Sequence, residues 1–167
     1  MHHPGGFAIS ADMEQPSGAA AAPSDVPPVN GCFLDRLLLI AAAHGLGGDR
    51  EVLAHAHGIV GDGFCLRTVL AVADDLGLNA CHARLSWRDL GVVAPALPAL
   101  LIFRDGATAI LDALEPARPA PGQGPDLARL RDEGDPAADP PRHLDLTEGD
   151  LALFWAGDVI VADAARR

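Results

Sequence analysis

The apolar residues of this chain change their spacing once, at Gly77, and that switch limits the folds open to it. Before Gly77 they recur at helical intervals; after it they fall in short runs separated by turn residues. From Phe33 to Ala43, the residues Phe33, Leu34, Leu37, Leu38, Ile40 and Ala41 share one face, with Asp35 and Arg36 on the other, and Gly45 predicts the stop. Asp49 is placed to cap a short helix through Ala56, ahead of a Gly58–Gly63 turn region. A third helix is predicted from about Phe64 to Leu76, presenting Leu66, Val69, Leu70, Val72 and Ala73, with Gly77 ending it.

Beyond Gly77 the spacing predicts strands. Leu78–Leu85 reads as a short strand, Ser86 caps a helical turn through Leu90, and Leu97–Phe103 reads as a buried strand. Arg104-Asp105-Gly106 then supplies a tight turn, because Asp-Gly adopts the positive φ that hairpins need, and Ala107–Leu114 returns as the paired strand. The stretch 115–141 is dominated by Pro, Gly, Asp and Ala and is expected to be a flexible Pro/Asp-rich insertion. Leu144–Leu146 is predicted as a strand, Thr147 as the N-cap of a helix through Trp155, and Asp158–Ala162 as a closing strand. Helices first and strands after indicate an α+β domain, three N-terminal helices on a small, mostly antiparallel sheet.

At 167 residues with 49% hydrophobic content, the chain suits one domain. Residues 1–29, rich in Ala, Pro, Gly and Ser, are expected to form a disordered N-terminal tail, with the domain spanning 30–164. A net charge of −11 argues against nucleic acid, whose phosphates require a basic surface. Cys32, Cys65 and Cys81 form no Cys-x-x-Cys pair, so free thiols and a reducing compartment are expected. The longest apolar run, Val92–Phe103, contains Pro95 and Pro98 and falls far short of the roughly 20 residues that span a bilayer, so the segment itself is expected to be soluble.

The residues with chemistry are few. Cys32 heads the first helix, where the helix dipole favours a thiolate, so the position suits a nucleophile; the competing reading is a small, half-buried apolar residue at a helix start. His55 and His57 sit two apart near a helix end and point to different sides, Cys81 and His82 alternate across a strand, and His44 is placed to meet the terminal carbonyls of the first helix. His143 precedes the last predicted helix. No set of four Cys, His or acidic residues has the spacing of a tetrahedral metal site, so no metal is expected. Phe103 and Trp155 are expected in the core, and Trp87, near a turn, is expected to be partly exposed.

The run from Gly31-Cys32-Phe33-Leu34-Asp35-Arg36 to His44-Gly45 resembles the opening helix of cysteine peptidase family 39, the papain-like, bacteriocin-processing domain at the N-terminus of bacterial ABC transporters. The Gly63-Phe64-Cys65-Leu66 to Asp75-Leu76-Gly77-Leu78 segment, the Leu97-Pro98-Ala99-Leu100 strand and the Asp105-Gly106 hairpin follow in the family's order. So does the ending, Asp150-Leu151-Ala152-Leu153-Phe154-Trp155-Ala156-Gly157-Asp158-Val159-Ile160. The resemblance covers about Asn30 to Ala164 and implies a papain-like peptidase fold.

It also implies a cysteine nucleophile at Cys32, a histidine base on the second hairpin strand, an orienting aspartate, and an upstream glutamine that donates to the oxyanion. This chain departs from that pattern. Ala107, Thr108 and Ala109 stand where the histidine would fall, and a threonine hydroxyl neither takes a proton near neutral pH nor forms the ion pair that activates a thiol. The glutamine position reads Val26, the aspartate falls at Asp139 or Asp135, Gly31 replaces an acidic residue and Phe33 a glycine. The departures resemble the degenerate branch, peptidase-like domains of type I secretion ABC transporters without peptidase activity.

What the resemblance implies is a domain on the cytoplasmic face of the bacterial inner membrane that engages an unfolded secretion substrate or leader peptide before export. Residues 165–167 would begin a linker to transmembrane and ATPase domains, with a periplasmic adaptor and an outer-membrane channel completing the system. No cofactor is expected in this domain; ATP and Mg would belong to the downstream nucleotide-binding domain. Exposed apolar residues beside a vestigial cleft, marked by Cys32, Ile102 and Thr108, would bind an extended peptide in the groove or against a sheet edge. The alternative is an active peptidase that cleaves double-glycine leaders with Cys32.

Overall fold

The computed structural model describes residues 25–165; its three longest α-helices precede Gly77 and all six strands follow it. Helix α1 is Phe33–Ala43, α2 Arg50–His57 and α3 Leu66–Asp75. Strand β1 is Leu78–Arg84, followed by a 3₁₀ segment Trp87–Ala96, β2 Ala99–Phe103, β3 Thr108–Glu115, β4 Leu127–Arg131 and β5 His143–Leu146. A short α4, Glu148–Ala152, precedes β6, Trp155–Ala164. The six strands form one sheet in the order β1-β6-β2-β3-β4-β5 with every neighbour antiparallel. The architecture is α+β.

Strand alternation sends successive side chains to opposite faces, and this chain builds a core on each. Toward α1–α3 lie Leu78, Leu100, Ile102, Ile110, Ile160 and Ala162, packed with Phe33, Leu34, Leu37 and Ile40 of α1. These four helix residues are at most 1% exposed, and each such burial contributes about 1.5–3 kcal/mol. On the other face Leu101, Phe103, Leu111, Leu130 and Val159 pack with Trp87, Leu90 and Leu151.

Several expectations require correction. The tail was expected to run through Val29; residues 1–24 lie outside the described residues, but Val29 is fully buried and exchanges backbone hydrogen bonds with Phe64, so the packed domain begins before Asn30. The expected insertion 115–141 contains β4, whose Ala128 and Leu130 enter the second core while Arg129 and Arg131 turn to carboxylates on the other face. The last helix stops at Ala152 rather than Trp155, because Trp155 already pairs with Phe103 of β2. Trp87 is buried, its indole N–H donating to the Pro125 carbonyl at 2.8 Å. Of the expected linker 165–167, residues 166 and 167 lie outside the described residues.

Candidate functional site

Helix α1 and the β2–β3 hairpin meet where the sequence places its nucleophile. The hairpin tip is Gly106, at φ +85°, and its carbonyl accepts the Asn30 N–H at 2.8 Å. That bond fixes the start of α1 against the hairpin two residues before Cys32. Cys32 is the N-cap of α1, its side chain capping nothing and its residue half-buried. Thr108 opens β3 opposite Ile102 of β2, and its side chain is fully buried. Cys32 Sγ lies 3.9 Å from Thr108 Oγ1.

The other candidates lie elsewhere. Ile102 is 0% exposed, packed in the helix-side core, so it cannot line an open groove; this corrects its expected place in a binding cleft. Asp139 and Asp135 are exposed in the loop between β4 and β5, and neither makes a hydrogen bond to Cys32 or Thr108. Val26 is half-buried against the helix-side core, an apolar contact with nothing to donate to an oxyanion.

No histidine among the described residues reaches the thiol. His44 caps the far end of α1, about 18 Å away at 1.5 Å per residue. His57 pairs with Asp75 at 2.7 Å, His82 with Asp158 at 2.9 Å and His143 with Asp112 at 2.9 Å. His82 stands on β1, three strands from β3, roughly 14 Å across the sheet. His57, His82 and His143 each meet a carboxylate, and none of those carboxylates bonds to Cys32.

A residue with no local sequence signal stands at the same helix end as Cys32. Asp62 Oδ1 accepts the Gly31 backbone N–H at 2.7 Å, placing a carboxylate at the N-terminus of α1. Negative charge there stabilises the helix, yet it opposes a thiolate or an oxyanion developing at the same end. The Gly61-Asp62-Gly63 turn also packs closely enough that a Cβ on Gly31 would run into the Gly61 carbonyl oxygen. Gly31 therefore admits this turn, where an acidic side chain could not fit. The two glycines that flank Asp62 are both at positive φ.

Among the described residues no group of three or more His, Cys, Asp and Glu side chains could hold a metal ion. No helix among them is long and apolar enough to cross a membrane.

Comparison with known proteins gives no match to a family model and none to a curated protein. Solved structures do match. The chain is similar to the N-terminal peptidase C39-like domain of the toxin secretion ATP-binding protein from Vibrio parahaemolyticus, with 17% identity, 79% of this chain and 95% of that one covered, and a TM-score of 0.56. It is similar to a double glycine motif protease from an AMS/PCAT transporter, solved with its leader peptide, at 15% identity, coverage of 83% and 99%, and a TM-score of 0.57. The peptidase domain of Streptococcus ComA, a bi-functional ABC transporter of a quorum-sensing pathway, matches at 11% identity, coverage of 82% and 97%, and a TM-score of 0.57.

The fold is that of the peptidase C39-like domains. Within this C39-like fold, the α1 N-terminus and the second hairpin strand hold a thiol and a hydroxyl, with a carboxylate nearby on the backbone of Gly31. A thiol facing a hydroxyl has no group to take its proton near neutral pH. The C39-like fold leaves a second feature on its other sheet face, a depression of about 480 Å³ near the hairpin, bordered by Phe103, Leu130, Leu144 and Phe154.

Proposed function

We propose that this chain is a non-catalytic peptidase-like domain of a type I secretion ABC exporter, engaging an unfolded protein substrate on the cytoplasmic side before export. The observation that carries the reading is the 3.9 Å approach of Cys32 Sγ to Thr108 Oγ1, which puts a hydroxyl where a cysteine peptidase needs a base. Asp62 at the same helix end supports it, since its charge opposes the anions that acyl transfer would develop there. The solved structures of the same fold are described as transporter domains, one of them from a toxin secretion protein and one in complex with a leader peptide.

In this reading Cys32 marks the cleft without cutting, and ATP and Mg act only in a nucleotide-binding domain of the same transporter. The partners are the unfolded substrate, the transporter's membrane and ATPase domains, and the adaptor and outer-membrane channel of the export system. Titration of the domain with a permanently unfolded, carboxymethylated protein and with its folded parent tests the reading. The unfolded form binds and the folded form does not, and Cys32→Ala leaves binding unchanged. Absence of binding to the unfolded form contradicts it.

A further inference from the structure

The surroundings of Cys32 offer an extended polypeptide little to hold, because Thr108 and Ile102 are both fully buried. The opposite sheet face is different. Phe103 and Phe154 meet edge-to-face at 4.9 Å, and together with Leu130 and Leu146 they floor the depression of about 480 Å³. Leu144 of β5 stands at its wall, 57% exposed, and Leu153, next to Phe154 in the chain, is 77% exposed. Isolated exposed leucines mean little, but Leu144 lines an apolar depression, and the two together form a surface with a use.

The rim is acidic. Asp105, Asp132 and Glu133 border the depression. Its two cationic neighbours are already engaged: Arg131 holds Asp112 through two hydrogen bonds of 2.7 and 2.8 Å, and His143 holds the same carboxylate. Among the described residues, none of Asp105, Asp132 and Glu133 pairs with a cation. The depression thus presents an apolar floor and three unneutralised carboxylates.

β5 adds a backbone. It ends the sheet, so among the described residues its outer edge has no strand beside it. Leu144 and Leu146 face the depression from alternate positions, as shown by their partners Leu130 and Ala128 in the second core. A strand laid along this edge would pair with β5 through its backbone and set every second side chain beside Leu144 and Leu146, at the wall of the depression.

We propose that the free edge of β5 and the adjoining depression seat an extended polypeptide segment, an apolar side chain resting on Leu144 at the wall of the depression that Phe103 and Phe154 floor, and a lysine or arginine meeting the carboxylates of its rim. This rests on the reading of the domain as a binder of unfolded polypeptide, and it names the surface and the residue pattern that surface selects. Opposite charge steers such a segment to the rim, and the apolar contact holds it.

The test uses fluorescence anisotropy with three labelled Gly/Ser peptides of equal length. One carries a central Leu-Phe pair flanked by arginines, one the same pair flanked by glutamates, and one arginines flanking two alanines. The first binds about tenfold or more tightly than the others, and its binding weakens as salt rises. Leu144→Ser, at an exposed position, weakens it by about tenfold, and Glu133→Arg shifts preference toward the glutamate-flanked peptide, while Cys32→Ala changes neither. Equal binding of the three peptides, or indifference to both Leu144→Ser and Glu133→Arg, overturns the proposal. If the carboxymethylated protein still binds in that case, the site lies elsewhere and only the present inference is lost; if it does not bind either, the reading of the domain falls as well.

Discussion

Cys32 Sγ and Thr108 Oγ1 face each other at 3.9 Å where α1 meets the β2–β3 hairpin, so the side chain that the hairpin brings to the thiol ends in a hydroxyl. The distance allows only a weak thiol–hydroxyl contact, and the thiol gains no base from it. Several measurable consequences arise from this pairing and from the groups around it.

Thr108→His places an imidazole against Cys32. Its alkylation by iodoacetamide at neutral pH, read by mass spectrometry on the Cys32 peptide, becomes faster because a neighbouring imidazolium favours the thiolate. Thr108 is fully buried, so the larger side chain also costs about 1–3 kcal/mol of stability. An unchanged Cys32 rate in a folded variant contradicts the placement of position 108 against the thiol.

Gly31→Ala lowers stability by about 1–3 kcal/mol in urea denaturation, since its Cβ would meet the Gly61 carbonyl and force the turn away. Asp62→Ala removes only the carboxylate that accepts the Gly31 N–H and costs about 1 kcal/mol. The order is the test: if Gly31→Ala is tolerated as well as a surface change, the turn does not close on α1.

Asp158 is 1% exposed and is held by His82 at 2.9 Å and by Arg84 at 3.5 Å. His82→Ala leaves the buried carboxylate with only the longer Arg84 contact and is expected to cost about 3 kcal/mol. Arg84 is 47% exposed at its side chain, so Arg84→Ala is expected to cost under about 1 kcal/mol. Equal losses for the two variants would show that the histidine is not the main partner.

The Asp150 carboxyl titrates below the ordinary aspartate range, first through the Thr147 backbone N–H and then through the Thr147 hydroxyl. A folded-state value below the unfolded one means that the stabilisation is present above the unfolded value and is lost as pH falls through the folded one. In carboxyl-detected NMR titration, Thr147→Ala moves the Asp150 midpoint upward only part of the way, because the backbone donor remains. A midpoint that does not move contradicts the capping box.

The parts of the fold that could be read from sequence are those with local physical signals. The spacing change at Gly77, the Asp105-Gly106 turn and the caps at Asp49, Ser86 and Thr147 all correspond to observed features. β4 was hidden because its five residues lie between Pro- and Asp-rich loops, and its alternation of leucine, alanine and arginine is too short to outweigh them. Val29 gave no signal, since a single residue bridging to Phe64 has no period. Trp87 looked exposed because the carbonyl that covers its indole, Pro125, is 38 residues away in the chain. The site was legible only where a local motif and the hairpin fixed it. Asp62 reaches Gly31 across 31 residues, and the acidic rim joins residues of the hairpin to residues after β4, proximity that no local pattern encodes.

The most direct measurement is incubation of the domain with a double-glycine leader peptide, followed by mass spectrometry. The account predicts that the peptide stays intact with the natural sequence and with Cys32→Ala alike. Cleavage after the double glycine that Cys32→Ala abolishes would contradict it.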